Sequence, residues 1–150
     1  MMMVDGHRAS HAMPLANLLA SENCVDGDTL ISGLQLDSRR VASGDAFLAM
    51  PGDVHDGRQF IEQAVANGAA AVIAEAPVAG FVEDIPVPLV EVPELRQDAG
   101  HLAARFYGHP SRDLLMVGVC GTIGKTTSSR MLAQLWRDLG KSCGVIGTLG

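Results

Sequence analysis

Aromatic residues make up only 4% of the 150-residue sequence, and it holds no long apolar run, no basic stripe and no internal repeat. Few aromatics and scattered basic residues give bases nothing to stack on and a phosphate backbone nothing to follow. The net charge of -6 adds a repulsive long-range field, so nucleic acid is excluded as a partner. The longest uncharged stretches, such as Leu114 to Gly124, fall far short of the roughly 20 residues that span a bilayer, so no membrane span is expected. Cys24, Cys120 and Cys143 form no C-x-x-C pair and have no histidines at ligand spacing. They read as free thiols in a reducing cytosol, against a disulfide frame or zinc site. Seventeen glycines follow no G-X-Y period, which removes a collagen-like reading.

What is present is an alternation of apolar strands and amphipathic helices, the signature of an α/β fold. Pro14 to Ala20 reads as a first helix rather than the core of a signal peptide. Strands are expected at Leu30 to Leu36, Ala46 to Met50 and Ala69 to Ala74, with a helix carrying Phe60, Ile61, Ala64 and Val65 before the last. Three prolines between Pro77 and Pro88 mark a surface connection into an edge strand, Leu89 to Val92. A helix from Pro93 to about Tyr107 turns Leu95, Ala99, Leu102, Ala103 and Phe106 inward. Gly108-His109-Pro110-Ser111 then breaks the chain, and a domain boundary is expected at 108 to 112, giving domains 1–110 and 111–150. Beyond it, strand Leu114 to Val119, helix Lys125 to Leu139 and strand Cys143 to Ile146 make one β-α-β unit, with Val117, Val119, Val145 and Ile146 partly uncovered.

Between that first strand and its helix lies Gly121-Thr122-Ile123-Gly124-Lys125-Thr126-Thr127. Phosphate binding needs backbone N–H groups that no side chain shields, which the glycines supply, and a helix N-terminus adds about +0.5 charge. Lys125 is then placed to reach terminal phosphates as the catalytic cation, and the Thr126 hydroxyl to ligate Mg2+. A strict G-x-x-x-x-G-K-[ST] loop needs glycine where Val119 stands, so this is a shortened phosphate loop or, on the plainer reading, a structural glycine turn.

The string Gly118-Val119-Cys120-Gly121-Thr122-Ile123-Gly124-Lys125-Thr126-Thr127 resembles the ATP loop of the Mur ligases, G-V-T-G-T-N-G-K-T-T. Upstream, Leu36-Asp37-Ser38-Arg39, Gly44-Asp45-Ala46-Phe47, Asp56-Gly57-Arg58-Gln59-Phe60-Ile61 and Phe106-Tyr107-Gly108-His109-Pro110-Ser111 look, in order, like the member that adds the third peptide residue to the cell-wall precursor. The resemblance implies a small α/β substrate-binding domain followed by the first β-α-β unit of a parallel-sheet ATPase domain. It also implies ATP-dependent amide formation in peptidoglycan synthesis: phosphorylation of D-glutamate in UDP-N-acetylmuramoyl-L-alanyl-D-glutamate, then attack by a diamino acid, meso-diaminopimelate or lysine. It gives Leu36 and Ser38 to the uridine pocket and Asp53, Val54 and His55 to a second substrate loop.

The residues themselves leave alternatives. Asp37-Ser38-Arg39 also fits a turn with a surface ion pair, and His55 also fits an exposed loop histidine. Asp53 and Asp56 read as loop caps rather than a general acid and base; His7, His11, His101 and His109 receive no chemistry. Two loop positions depart from the family pattern, Cys120 for threonine and Ile123 for asparagine. If the turn needs a positive φ at 123, isoleucine costs about 1–2 kcal/mol there, and weakened ATP binding is expected. Because the remaining family domains are absent from these 150 residues, no ligation by this chain alone is expected. The competing readings are a non-catalytic UDP-sugar-binding module or degenerate copy, and a sister ligase of MurF type.

Overall fold

A computed structural model describes residues 12–21 and 26–147, so His7, His11 and Cys24 lie outside the described residues. The chain separates into two units that meet between Arg112 and Asp113.

The first unit opens with β1 (Met13–Pro14) and α1 (Leu15–Leu19). Pro14 therefore pairs in a short strand and precedes the helix rather than lying in it. The segment expected as one strand over 30–36 is two, β2 (Leu30–Ile31) and β3 (Gly33–Gln35). Ser32 is where the partner changes: β2 pairs antiparallel with β1, the Ser32 N–H goes to the Gly44 carbonyl (2.8 Å), and β3 pairs in parallel with β4 (Asp45–Ala49). After β4 come α2 (Ile61–Ala66), β5 (Ala71–Glu75), β6 (Leu89–Val92) and α3 (Leu95–Phe106).

β3, β4, β5 and β6 form one parallel sheet in chain order, with β6 at its edge as the prolines before it suggested. β4 is buried on both faces, which is why Ala46 to Ala49 run continuously apolar instead of alternating. Ala46 and Leu48 face α1 and α3, packing with Leu15, Leu18, Leu95, Leu102 and Phe106. Phe47 and Ala49 face α2, packing with Ile61 and Ala64. The connection after β5 is less superficial than its prolines imply: Val78 is buried, and Val82, Ile85 and Val87 pack on the α2 side.

In the second unit the expected helix is present as α4 (Lys125–Asp138). Its flanking strands are not: among the described residues, 114–119 and 143–146 join no β-ladder. A strand is defined by its ladder, and an apolar run without a partner stays an irregular uncovered segment. Accordingly Met116, Val117 and Ile146 are exposed, the last completely, while Val119 and Val145 are half-buried.

Candidate functional site

Parallel strands deliver all their following loops to one edge of the sheet, the edge where α/β folds bind ligands. Here that edge gathers Leu36 to Arg40 after β3, residues 50–57 after β4, Ala76 and Pro77 after β5, and the start of α3 after β6. All five sequence-nominated substrate residues, Leu36, Ser38, Asp53, Val54 and His55, fall on the loops of the adjacent strands β3 and β4.

The first loop is a single turn of 3-10 helix, Ser38–Arg40, pinned from α2. Ser38 is buried; its hydroxyl donates to Gln63 Oε1 (2.7 Å), and its carbonyl accepts from Asn67 Nδ2 (2.8 Å). The Ser38 proton is thus committed, and what its oxygen retains for a ligand is acceptor capacity. Sequence reading missed Gln63 and Asn67, although their four-residue spacing on one helix face was visible. Leu36 is exposed beside this turn.

Asp37 caps the turn through the Arg39 N–H (3.0 Å) and also takes a two-pronged bond from its guanidinium, Nε at 2.9 Å and Nη2 at 2.8 Å. The ion-pair alternative for this tripeptide is therefore realised, and Arg39 is already partnered. Its side-chain bonds, then its backbone N–H, hold the Asp37 carboxyl at about 2, below the usual 3.8. A carboxyl depressed by folding stabilises the turn at pH values above its ordinary range and loses that contribution as pH falls from 3.8 to about 2. An NMR titration is expected to place the Asp37 midpoint near 2 and Arg39→Ala to return it towards 3.8; an unmoved midpoint would show the pair is absent in solution.

The second loop closes on itself. Pro51 and Asp56 form an isolated antiparallel bridge, the Gly52 N–H donates to the His55 carbonyl (2.9 Å), and the Gly57 N–H to the Met50 carbonyl (3.0 Å). Gly57 is required there, because a Cβ would lie 2.7 Å from the Met50 oxygen. Asp56 is a cap as expected: it accepts the Arg58 N–H (3.0 Å) and pairs with the Arg58 guanidinium at 2.6 Å. That guanidinium also donates to the Pro77 carbonyl (2.9 Å) and stacks 4.3 Å from the Phe81 ring centre. These bonds lower the Asp56 pKa and raise that of Arg58. Asp53 is no cap; it accepts from Arg96 Nη2 of α3 (2.9 Å). Val54 projects into solvent, and the His55 ring meets Phe60 edge-on, 6.4 Å between centres.

A groove of about 610 Å³ lies elsewhere in this unit, between β6 and the Asp98, His101 and Arg105 side of α3. It contains none of the five nominated residues.

In the second unit, Gly121 to Gly124 lead directly into α4. Gly124 takes φ +80°, a left-handed value that glycine adopts freely. Ile123 is not among the residues with positive φ, so the strain expected of it is absent; its side chain simply stands 91% exposed. Lys125 Nζ folds over the loop and donates to the Gly121 carbonyl and to that of Thr122 (3.4 Å). Thr126 and Thr127 are exposed in the first helical turn, where N–H groups lack intrahelical partners. Thr126 offers one hydroxyl at the loop, whereas Mg2+ is ordinarily held by one or two carboxylates together with waters and substrate phosphates. Among the described residues no three His, Cys, Asp or Glu side chains cluster for a metal, and no helix is long and apolar enough to cross a membrane. Cys120 and Cys143 are free thiols.

The sequence model described as Mur ligase family, catalytic domain, matches residues 30–107. The UDP-N-acetylmuramoyl-L-alanyl-D-glutamate--2,6-diaminopimelate ligase of Pseudomonas putida is 49% identical over 92% of this chain and 27% of its own length. The ligase of the same name from Pseudomonas aeruginosa is 50% identical over 84% of this chain and 26% of its own. The chain spans about a quarter of the length of the curated relatives it matches. Among solved structures, one titled with that same ligase name aligns with a TM-score of 0.69 at 28% identity, covering 93% of this chain and 28% of that one. MurF from Thermotoga maritima in complex with ADP aligns with a TM-score of 0.53 at 30% identity, over 70% of this chain and 23% of that one.

Proposed function

The chain belongs to the Mur ligase family, and from that membership we propose that it supplies the uridine-nucleotide site and the phosphate loop of a UDP-N-acetylmuramoyl-L-alanyl-D-glutamate:2,6-diaminopimelate ligase acting in the cytosol. The observation that supports this choice over a MurF-type ligase is identity. Curated relatives of the first name reach 49–50% over 84–92% of this chain, whereas the solved structures of the two ligases do not separate them, at 28% and 30%.

In this reading the two sheet-edge loops hold the uridine diphosphate end of the precursor. Leu36 and Val54 offer apolar contact, Ser38 and Asp53 offer acceptors, and His55 offers a ring for stacking or hydrogen bonding. ATP supplies the phosphoryl group that activates the glutamate carboxylate towards the amine, with Mg2+ offsetting phosphate charge. Phosphoryl transfer depends on positioning and charge neutralisation. Lys125, the Thr126 hydroxyl and the free N–H groups of Gly121 to Thr127 do that work on this chain, and Lys125 has only to exchange two carbonyls for phosphate oxygens.

Calorimetric titration of the chain with UDP-N-acetylmuramoyl-L-alanyl-D-glutamate, UDP and ATP separately tests the reading. Saturable binding is expected for all three, tightest for the precursor. Binding of ATP with no response to either uridine ligand would remove the substrate assignment; the converse would remove the phosphate loop.

A further inference from the structure

We infer that Arg96 is a positioning residue that holds the tip of the 51–56 loop in place by tethering Asp53 to α3, an inference that rests on the substrate reading of that loop. The loop has two ends held in different ways. Its base is fixed by the Pro51 to Asp56 bridge, the Gly57 to Met50 bond and the half-buried Asp56–Arg58 pair. Among the described residues its tip, Asp53 to His55, is held by the Gly52 to His55 backbone bond, the edge contact of His55 with Phe60, and the Arg96 tether. Val54 and His55 therefore hang between two carboxylates, each gripped by its own arginine.

Arg96 is firmly mounted for this task. Its neighbour Leu95 is fully buried in the core, and its own N–H donates to Glu75 Oε2 (3.0 Å) at the end of β5. Glu75 thereby satisfies an N–H of the first turn of α3 that the Glu94 side chain leaves uncapped. The tether joins residues 43 apart in sequence, between a loop and a rigid helix. Its side chains are 59% and 85% exposed, so it is open to screening by salt and its effect is modest.

The test is a double-mutant cycle on precursor affinity. Arg96→Ala is expected to weaken binding of UDP-N-acetylmuramoyl-L-alanyl-D-glutamate about threefold to fivefold at low ionic strength and hardly at all in about 0.5 M salt. In an Asp53→Asn background the same substitution is expected to change little, while ATP affinity stays constant throughout. An equal loss in both backgrounds would mean that Arg96 meets the substrate directly, and no loss at low salt would mean that the tether positions nothing; either overturns the inference. In the ligand-free chain, backbone order parameters of Val54 and His55 should fall on Arg96→Ala while those of Asp56 to Phe60 hold. Unchanged values there overturn the inference even if the native chain fails to bind precursor, a failure that overturns the substrate reading instead.

Discussion

Phe47→Ala is expected to cost the first unit about 3–5 kcal/mol, a large share of the ~5–15 kcal/mol that keeps a typical domain folded. Phe47 is 1% exposed in β4, a strand with neighbours on both sides. The layer it fills against α2 is otherwise made of small side chains: Ala49, Ala64, Ala69 and Ala74, with Val41, Val72, Val78 and Ile61 around them. Alanines have no rotamers with which to close a gap, so the cavity left by a phenyl ring stays open, and the cost rises with the volume that fails to collapse. The functional consequence follows from α2, which packs on Phe47 with Ile61 and Ala64 and carries Gln63, the partner of Ser38. Urea denaturation followed by circular dichroism measures the loss. Ile61→Val in the same layer is the comparison, expected to cost about 0.5–1.5 kcal/mol. A Phe47→Ala cost near that smaller figure would show that the layer repacks.

How much of this was legible beforehand follows the range of each interaction. β4, β5, β6, α3 and α4 were readable within a residue or two because periodicity is a local property, and Leu95, Leu102 and Phe106 of α3 are buried as their spacing required. The break at Ser32 was not, since one strand changes partner there and the sequence names no partners. The same blindness made strands of 114–119 and 143–146, whose apolar character says that they suit a sheet without saying that one is present. Leu36, Ser38, Asp53, Val54 and His55 lie together on two neighbouring sheet-edge loops, whereas the side chains that anchor those loops could not be read from sequence. Arg58 reaches the Pro77 carbonyl and Arg96 reaches Asp53 across separations of 19 and 43 residues. At the phosphate loop the error was conformational: the left-handed position is Gly124, one residue after Ile123.

That displacement by one residue shapes the second large effect, on nucleotide binding. Lys125→Ala is expected to weaken ATP binding about 10- to 100-fold, the loss of one charge-assisted contact worth about 1.5–3 kcal/mol. The lysine begins α4, and its ammonium lies over the loop, where among the described residues it donates to the Gly121 and Thr122 carbonyls. Two neutral acceptors are exchanged for anionic phosphate oxygens, so the gain on binding is large and falls with added salt. Lys125→Arg is not a rescue, because a planar fork cannot fill the place of a compact ammonium inside a tight turn. Gly124→Ala should lose affinity too, through about 1–2 kcal/mol of left-handed strain at φ +80°. Ile123→Asn should change affinity by less than about twofold, since no positive φ is relieved and the side chain is already in solvent. Calorimetry with ATP ranks the four variants, and thermal unfolding should leave Lys125→Ala close to the parent because the lysine is exposed. A Lys125→Ala affinity within about twofold of the parent would detach the lysine from the phosphates. A large gain from Ile123→Asn would instead return the strained position to residue 123.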